Sequence, residues 1–122
     1  MMMVVGSASA SPGTQLWSFT TGGAVHSSPT LSPGGLTLYI GSWDLKVYAL
    51  RASTGEQLWE FTTEDRGDVV ESSPVLSPDG ATLYIGSGDG KVYALRTSTG
   101  AQQWSFTTGG QVYSSPVLSP DG

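Results

Sequence analysis

The stretch ALRASTGEQLW, residues 49–59, returns 45 residues later as ALRTSTGAQQW, residues 94–104, with Ala, Ser-Thr-Gly and Trp in the same places. In the first copy an apolar run (Val47, Tyr48, Ala49, Leu50) leads into a Ser-Thr-Gly turn, and a second segment then carries Trp59 and Phe61. An apolar run, a glycine-bearing turn and a second run rich in aromatics make a hairpin. The pair of hairpins sets the frame for the rest of the chain.

Working outward, the pattern W-x-F-T-T begins at Trp17, Trp59 and Trp104, and each copy is followed by V-x-S-S-P at Val25–Pro29, Val70–Pro74 and Val112–Pro116. L-Y-I-G-S occurs at Leu38–Ser42 and Leu83–Ser87, and K-V-Y-A-L-R at Lys46–Arg51 and Lys91–Arg96. Residues 25–58 align without gaps on residues 70–103 with 25 identities in 34 positions. The spacing is 42 residues from Trp17 to Trp59 and 45 from Trp59 to Trp104; the extra three fall within Thr63–Val69.

A period in the forties holding four strand-like segments is the signature of a propeller blade. Strands are expected near 24–31, 36–42, 46–51 and 57–62 in the first blade, and near 69–76, 81–87, 91–96 and 102–107 in the second. Ser-Pro-Gly-Gly and Ser-Pro-Asp-Gly supply the first turn of each, proline fixing φ and glycine accepting φ > 0. Gly88-Asp89-Gly90 supplies the second turn, which Trp43-Asp44-Leu45 must make without glycine. Pro29, Pro74 and Pro116 cannot donate to a ladder, which assigns their segments to the inner edge of each blade. The fold class is therefore all-β: two blades of four antiparallel strands (24–62 and 69–107), stacked face to face, with no helix longer than one turn. Orphan strands flank them at 16–20 and 111–118. Residues 1–13 are read as a disordered leader with the look of a signal remnant: Met1–Val5 is apolar and Ala8-Ser9-Ala10 is small-x-small, but no basic start is present.

The spacing A-x-x-x-x-T-G-x-x-x-W resembles the tryptophan-docking motif of the quinoprotein β-propeller family, A-x-D-x-x-T-G-x-x-x-W. The resemblance implies that Ala49, Gly55 and Trp59 form one unit of a girdle and Ala94, Gly100 and Trp104 the next, with Trp17 the tail of a truncated third. Each Trp is expected to stack on a neighbouring blade where small partners allow close approach. Replacing Trp17 is expected to cost less than replacing Trp59, because its own motif is incomplete. Arg51 and Arg96 stand where the motif has Asp. Arginine offers donors only, so these side chains should point outward to a carboxylate or water, with Thr54 and Thr99 as local acceptors.

Composition narrows the function. A net charge of −5 with five scattered basic residues excludes a nucleic-acid surface. No run reaches the roughly 20 apolar residues of a membrane helix. Cys is absent, which removes disulfides, thiolate metal sites and a Cys nucleophile. Within the resembling family, the dehydrogenases hold pyrroloquinoline quinone and Ca²⁺ with carboxylate and amide ligands and often a vicinal Cys pair. This chain has neither Cys nor Asn, and its acids lack the calcium-loop spacing. PQQ and calcium are expected only if the chain is a segment of such a dehydrogenase whose site lies in other blades.

His26, whose equivalents are Glu71 and Tyr113, reads as a channel-mouth or loop-facing side chain rather than a catalytic base. The loop 64–68 (EDRGD) breaks the repeat. Connections between blades and the turns between second and third strands share one face, grouping Trp43, Asp44, Glu64, Asp65, Asp68 and Asp89. This is the candidate interaction face, with Trp43 as its anchor. Catalytic, cofactor-binding and metal residues are not assigned.

The sequence is thus read as a non-catalytic propeller segment that binds a protein or small extracellular ligand at its loop face. The alternative is a piece of a PQQ-dependent alcohol or sugar dehydrogenase. A carbohydrate-binding propeller would repeat its aromatic at one loop position, and Trp43 is replaced by Gly88. Cofactor-free members of the resembling family include an outer-membrane lipoprotein that scaffolds β-barrel assembly, which implies a periplasmic or secreted location. Two blades cannot close a ring of about 4–8. The chain is therefore expected to be part of a longer protein, or to associate with itself through its open blade faces.

Overall fold

The computed structural model describes the backbone of residues 2–5, and residues 14–63, 70, 72–110, 112 and 114–119. Among these there is no helix, and two four-stranded antiparallel sheets carry the fold. Blade 1 comprises β3 (Thr30–Leu31), β4 (Thr37–Gly41), β5 (Lys46–Arg51) and β6 (Gln57–Thr62), in that order across the sheet. Blade 2 comprises β7 (Val75–Leu76), β8 (Thr82–Gly86), β9 (Lys91–Arg96) and β10 (Gln102–Thr107) in the same order. Ahead of them, β1 (Met2–Val5) pairs antiparallel with β2 (Trp17–Thr20), from Met2 opposite Thr20 to Val5 opposite Trp17.

Two expectations are corrected here. Met2–Val5 is a strand rather than disordered leader, and it gives β2 the third-strand partner that β6 finds in β5. Its apolar, partly β-branched composition suits that place; the rest of the leader lies outside the described residues. The inner strands are also far shorter than expected. Only Thr30–Leu31 and Val75–Leu76 join the ladder, and the described residues within 111–118 form no strand. Proline ends the pairing at Pro29 and Pro74, and serine hydroxyls take over the backbone groups before it. Ser27 Oγ accepts from Gly41 N (2.9 Å) and donates to Gly41 O (3.1 Å), while Ser72 Oγ accepts from Gly86 N (3.0 Å). The second serine of each pair links blade to blade: Ser28 N donates to Ser73 Oγ and Ser73 N to Ser115 Oγ, each at 2.8 Å.

The main core lies between the blades. Tyr39, Val47, Ala49 and Trp59 of blade 1 pack on Val70, Leu83, Ile85, Tyr93 and Leu95 of blade 2. A second cluster joins Trp17 to Leu38, Ile40, Tyr48 and Leu50, flanked by Phe19 and Val25. Both are built by large side chains seated on glycines of the adjacent unit. A Cβ on Gly55 would stand 2.4 Å from the Trp17 ring, and one on Gly100 2.5 Å from the Trp59 ring. Their φ values of +77° and +78° favour glycine independently. The indole N–H groups donate across the same seams, Trp17 Nε1 to Ala52 O (2.9 Å) and Trp59 Nε1 to Thr97 O (2.7 Å). A bulge in the β5–β6 and β9–β10 ladders, at Leu58 and Gln103, sets each Trp opposite the small Ala49 or Ala94. Phe19 and Phe61 meet Tyr48 and Tyr93 edge-on at 5.2 and 5.1 Å.

Trp17 and Trp59 are equally buried at 9% exposure, whereas Trp104 is 48% exposed. Burial therefore gives no ground for ranking Trp17 below Trp59: what matters is the glycine ahead of a Trp in the next unit, not the residues behind it. Trp59→Ala and Trp17→Ala should each cost about 3–5 kcal/mol in urea unfolding, and Trp104→Ala about 1 kcal/mol or less.

Candidate functional site

The turn between second and third strands differs between the blades in both sequence and backbone. In blade 2, Ser87-Gly88-Asp89-Gly90 closes with Gly90 at φ +88°. In blade 1 the same place falls to Leu45, which adopts φ +74°, the only non-glycine residue with positive φ among those described. A branched side chain there costs roughly 1–2 kcal/mol. The turn is held against that cost by its aspartate. Asp44 accepts from Lys46 N (3.2 Å) with one oxygen, and with the other from the Tyr48 hydroxyl and from Gly22 N (3.0 Å) of the connector leading into blade 1. Asp89 likewise accepts from Lys91 N (3.0 Å) and the Tyr93 hydroxyl.

The connectors do run over this face. Trp43 N donates to Ala24 O (2.9 Å), and Val70 N to Ser42 O (3.2 Å). Gly23 is pressed on the turn so closely that a Cβ there would stand 2.9 Å from Asp44 N and 3.3 Å from Trp43 Cβ. This packing turns the Trp43 indole outward, where it is 39% exposed and stacks on exposed His26 with ring centroids 4.1 Å apart and planes at 32°. Blade 2 has Gly88 in place of Trp43, so the aromatic pair belongs to blade 1 alone.

The residues grouped on this face from the sequence therefore separate. Trp43 presents an apolar surface, with His26 beside it. Asp44 is half-buried and bound up in the turn, and Asp89 is buried at 4% exposure, so neither offers a free acidic surface. Glu64, Asp65 and Asp68 lie outside the described residues. The residues of the Trp motif also divide differently from the grouping by unit. Ala49 lies opposite Trp59 and Ala94 opposite Trp104 within a sheet, but Gly55 receives Trp17 and Gly100 receives Trp59. Arg51 reaches Glu56 at 3.8 Å on the surface, and Thr54 and Thr99 accept from Glu56 N and Ala101 N at 3.3 and 3.2 Å. The serine links between blades were not anticipated, although Ser-Ser-Pro stands unchanged in all three copies.

A quinone and its calcium ion would need convergent carboxylate and amide donors. Among the described residues no group of three or more His, Asp or Glu could hold a metal ion, the chain has no Asn, and Asp44 and Asp89 are engaged by tyrosines and backbone amides. The described residues do not fit the cofactor.

Burial, reinforced by the Asp44 carboxylate, raises the Tyr48 phenol well above its ordinary value. A raised phenol stabilises the fold fully below the unfolded value of about 10, and the contribution is lost as pH climbs from there towards the folded value. Tyr48→Phe should weaken the protein at neutral pH and flatten the alkaline loss of stability seen in urea titrations. Some slope should remain, because burial also raises Tyr39.

Among solved structures the chain resembles the quinohemoprotein alcohol dehydrogenase from Comamonas testosteroni. The TM-score is 0.67 at 21% identity, over 78% of this chain and 17% of that one. It also resembles a europium-containing methanol dehydrogenase, with a TM-score of 0.66 at 19% identity, over 77% of this chain and 19% of that one. At these identities the likeness is one of fold, and the chain spans less than a fifth of either enzyme. No curated protein matches the chain in sequence. Residues 4–119 match the family model described as outer membrane protein assembly factor BamB, and with two four-stranded blades built on that repeat the chain belongs to this family of PQQ-like repeat β-propellers.

Proposed function

We propose that this segment is a non-catalytic binding module that offers the turn face of blade 1 to a protein partner. The observation that carries the reading is the exposed Trp43–His26 pair, set on a turn where Leu45 holds a left-handed backbone that blade 2 assigns to glycine. Strain kept at one turn, when the neighbouring blade makes the same turn without it, marks a site whose side chains are worth its cost. Exposed Trp is a residue type enriched in binding hot spots. The net charge of −5 favours a partner segment that combines an apolar anchor with basic residues. On the same reading, the Trp17–Gly55 and Trp59–Gly100 contacts are the girdle of a tryptophan-docking motif. They keep the blades rigid so that the face is presented in one shape. A dehydrogenase segment remains the rival in class, but it draws on likeness of fold alone.

Selection of a displayed peptide library on the wild-type chain tests the proposal. Enriched peptides should carry apolar and basic residues, and they should lose at least about tenfold in affinity for Trp43→Ala, a hot-spot loss. The variant itself should unfold within about 1 kcal/mol of wild type. Peptides that bind the wild type and Trp43→Ala equally would place the binding surface elsewhere.

A further inference from the structure

The turns at 42–45 and 87–90 are held by the same bonds but carry different side chains. Leu45 O accepts from Thr63 N (2.8 Å) and Thr63 Oγ1 (3.0 Å), and Gly90 O from Thr108 N (2.7 Å) and Thr108 Oγ1 (2.9 Å). Asp44 and Asp89 each accept from the lysine amide two residues on. These bonds impose a left-handed backbone on residues 45 and 90 alike, with φ +74° and +88°. Glycine adopts it without strain; leucine does not.

A leucine could offset that strain by filling a core, and this one does not. Leu45 is half-buried but belongs to neither apolar cluster of the described residues. Two of the four turn positions carry large apolar side chains in blade 1 and none in blade 2: Trp43 against Gly88, and Leu45 against Gly90. They flank an aspartate common to both turns. The strain lies in the turn's own backbone and its local bonds, whatever packs on the blade faces.

We propose that Leu45 is the second contact of the Trp43 site, retained against the stability of the fold, and that the partner is a protein segment whose apolar side chain bridges Trp43 and Leu45. The proposal rests on the binding role assigned to Trp43. His26 stacks on one face of the indole at 4.1 Å, so the partner meets the rest of the ring and the side chain two residues on. Charge complementarity makes the residues around that anchor basic. The chain carries a net charge of −5, Asp44 stands between the two apolar side chains, and Lys46 beside them is tied to Glu60 at 3.1 Å. Trp43 anchors the segment, and Leu45 widens the apolar seat that receives it.

Urea unfolding and the affinity for peptides selected on the wild type, measured on the same variants of the whole chain, must move in opposite directions. Leu45→Asn and Leu45→Gly relieve the left-handed strain, so their unfolding equilibrium constants should fall at least about threefold below the wild-type value. Their affinity for the peptides should drop at least about fivefold. Leu45→Met keeps both the strain and an apolar side chain; it should bind within about threefold of wild type and gain no stability. If Leu45→Asn and Leu45→Gly both unfold more readily than wild type, the leucine serves the fold and the proposal fails. It fails equally if both bind as wild type does while Trp43→Ala does not, and the role of Trp43 then stands without Leu45. Peptides indifferent to Trp43→Ala, or a library that yields no binder, overturn both readings.

Discussion

A large side chain seated where the neighbouring unit has no side chain at all is the contact on which this structure depends. It occurs at two depths. Trp17 and Trp59 lie on Gly55 and Gly100 towards the outer edge, and Val70 and Val112 lie on Gly41 and Gly86 farther in, where an added Cβ would stand 2.5 and 2.3 Å from the valine methyls. Blades are thin, so each can bury its apolar residues only against another blade. Glycine lets the sheets approach until the indole and isopropyl groups fill the gap, and protein interiors tolerate little empty space. Nearer the inner edge the packing gives way to hydrogen bonds between successive serines.

The same contact explains the chain's asymmetry. Each Trp is stabilised by the unit that follows it, so Trp104 and Phe106 are exposed while Trp17 is buried. It also explains why the turn face can vary. Once the seams hold a blade in place, the turn at 42–45 can accept Leu45 at positive φ and direct Trp43 outward, because Asp44 ties the turn to its connector and to Tyr48.

Much of this was legible in the residues themselves. Three copies of W-x-F-T-T and V-x-S-S-P, with Gly-bearing turns between alternating apolar runs, specify the strands, their order and the blade. Proline in the first strand marked the sheet edge correctly but not how little of that strand would pair. Strand length there is decided by whether serine hydroxyls or backbone groups satisfy the amides, and composition does not distinguish the two. The acidic residues of the turn face could not be judged from the sequence either. The sequence groups Asp44 and Asp89 with Trp43 on a candidate interaction face, and only the positions of Tyr48 and Tyr93 four residues on reveal them as half-buried and buried acceptors. The partner of each Trp was obscured because the motif is contiguous in sequence while its contact joins two successive repeats.

The claim that glycine and valine fit each other across the seam is tested most directly by a double-mutant cycle on Gly41 and Val70, followed by urea unfolding. Gly41→Ala introduces a methyl where the Val70 side chain already stands, so it should destabilise the wild-type background and do much less harm beside Val70→Ala. The account predicts a coupling energy of about 1 kcal/mol or more, in the direction of relief. Losses that simply add, to within about 0.3–0.5 kcal/mol, would show that the two residues do not share a seat and that the blades are held together in another way.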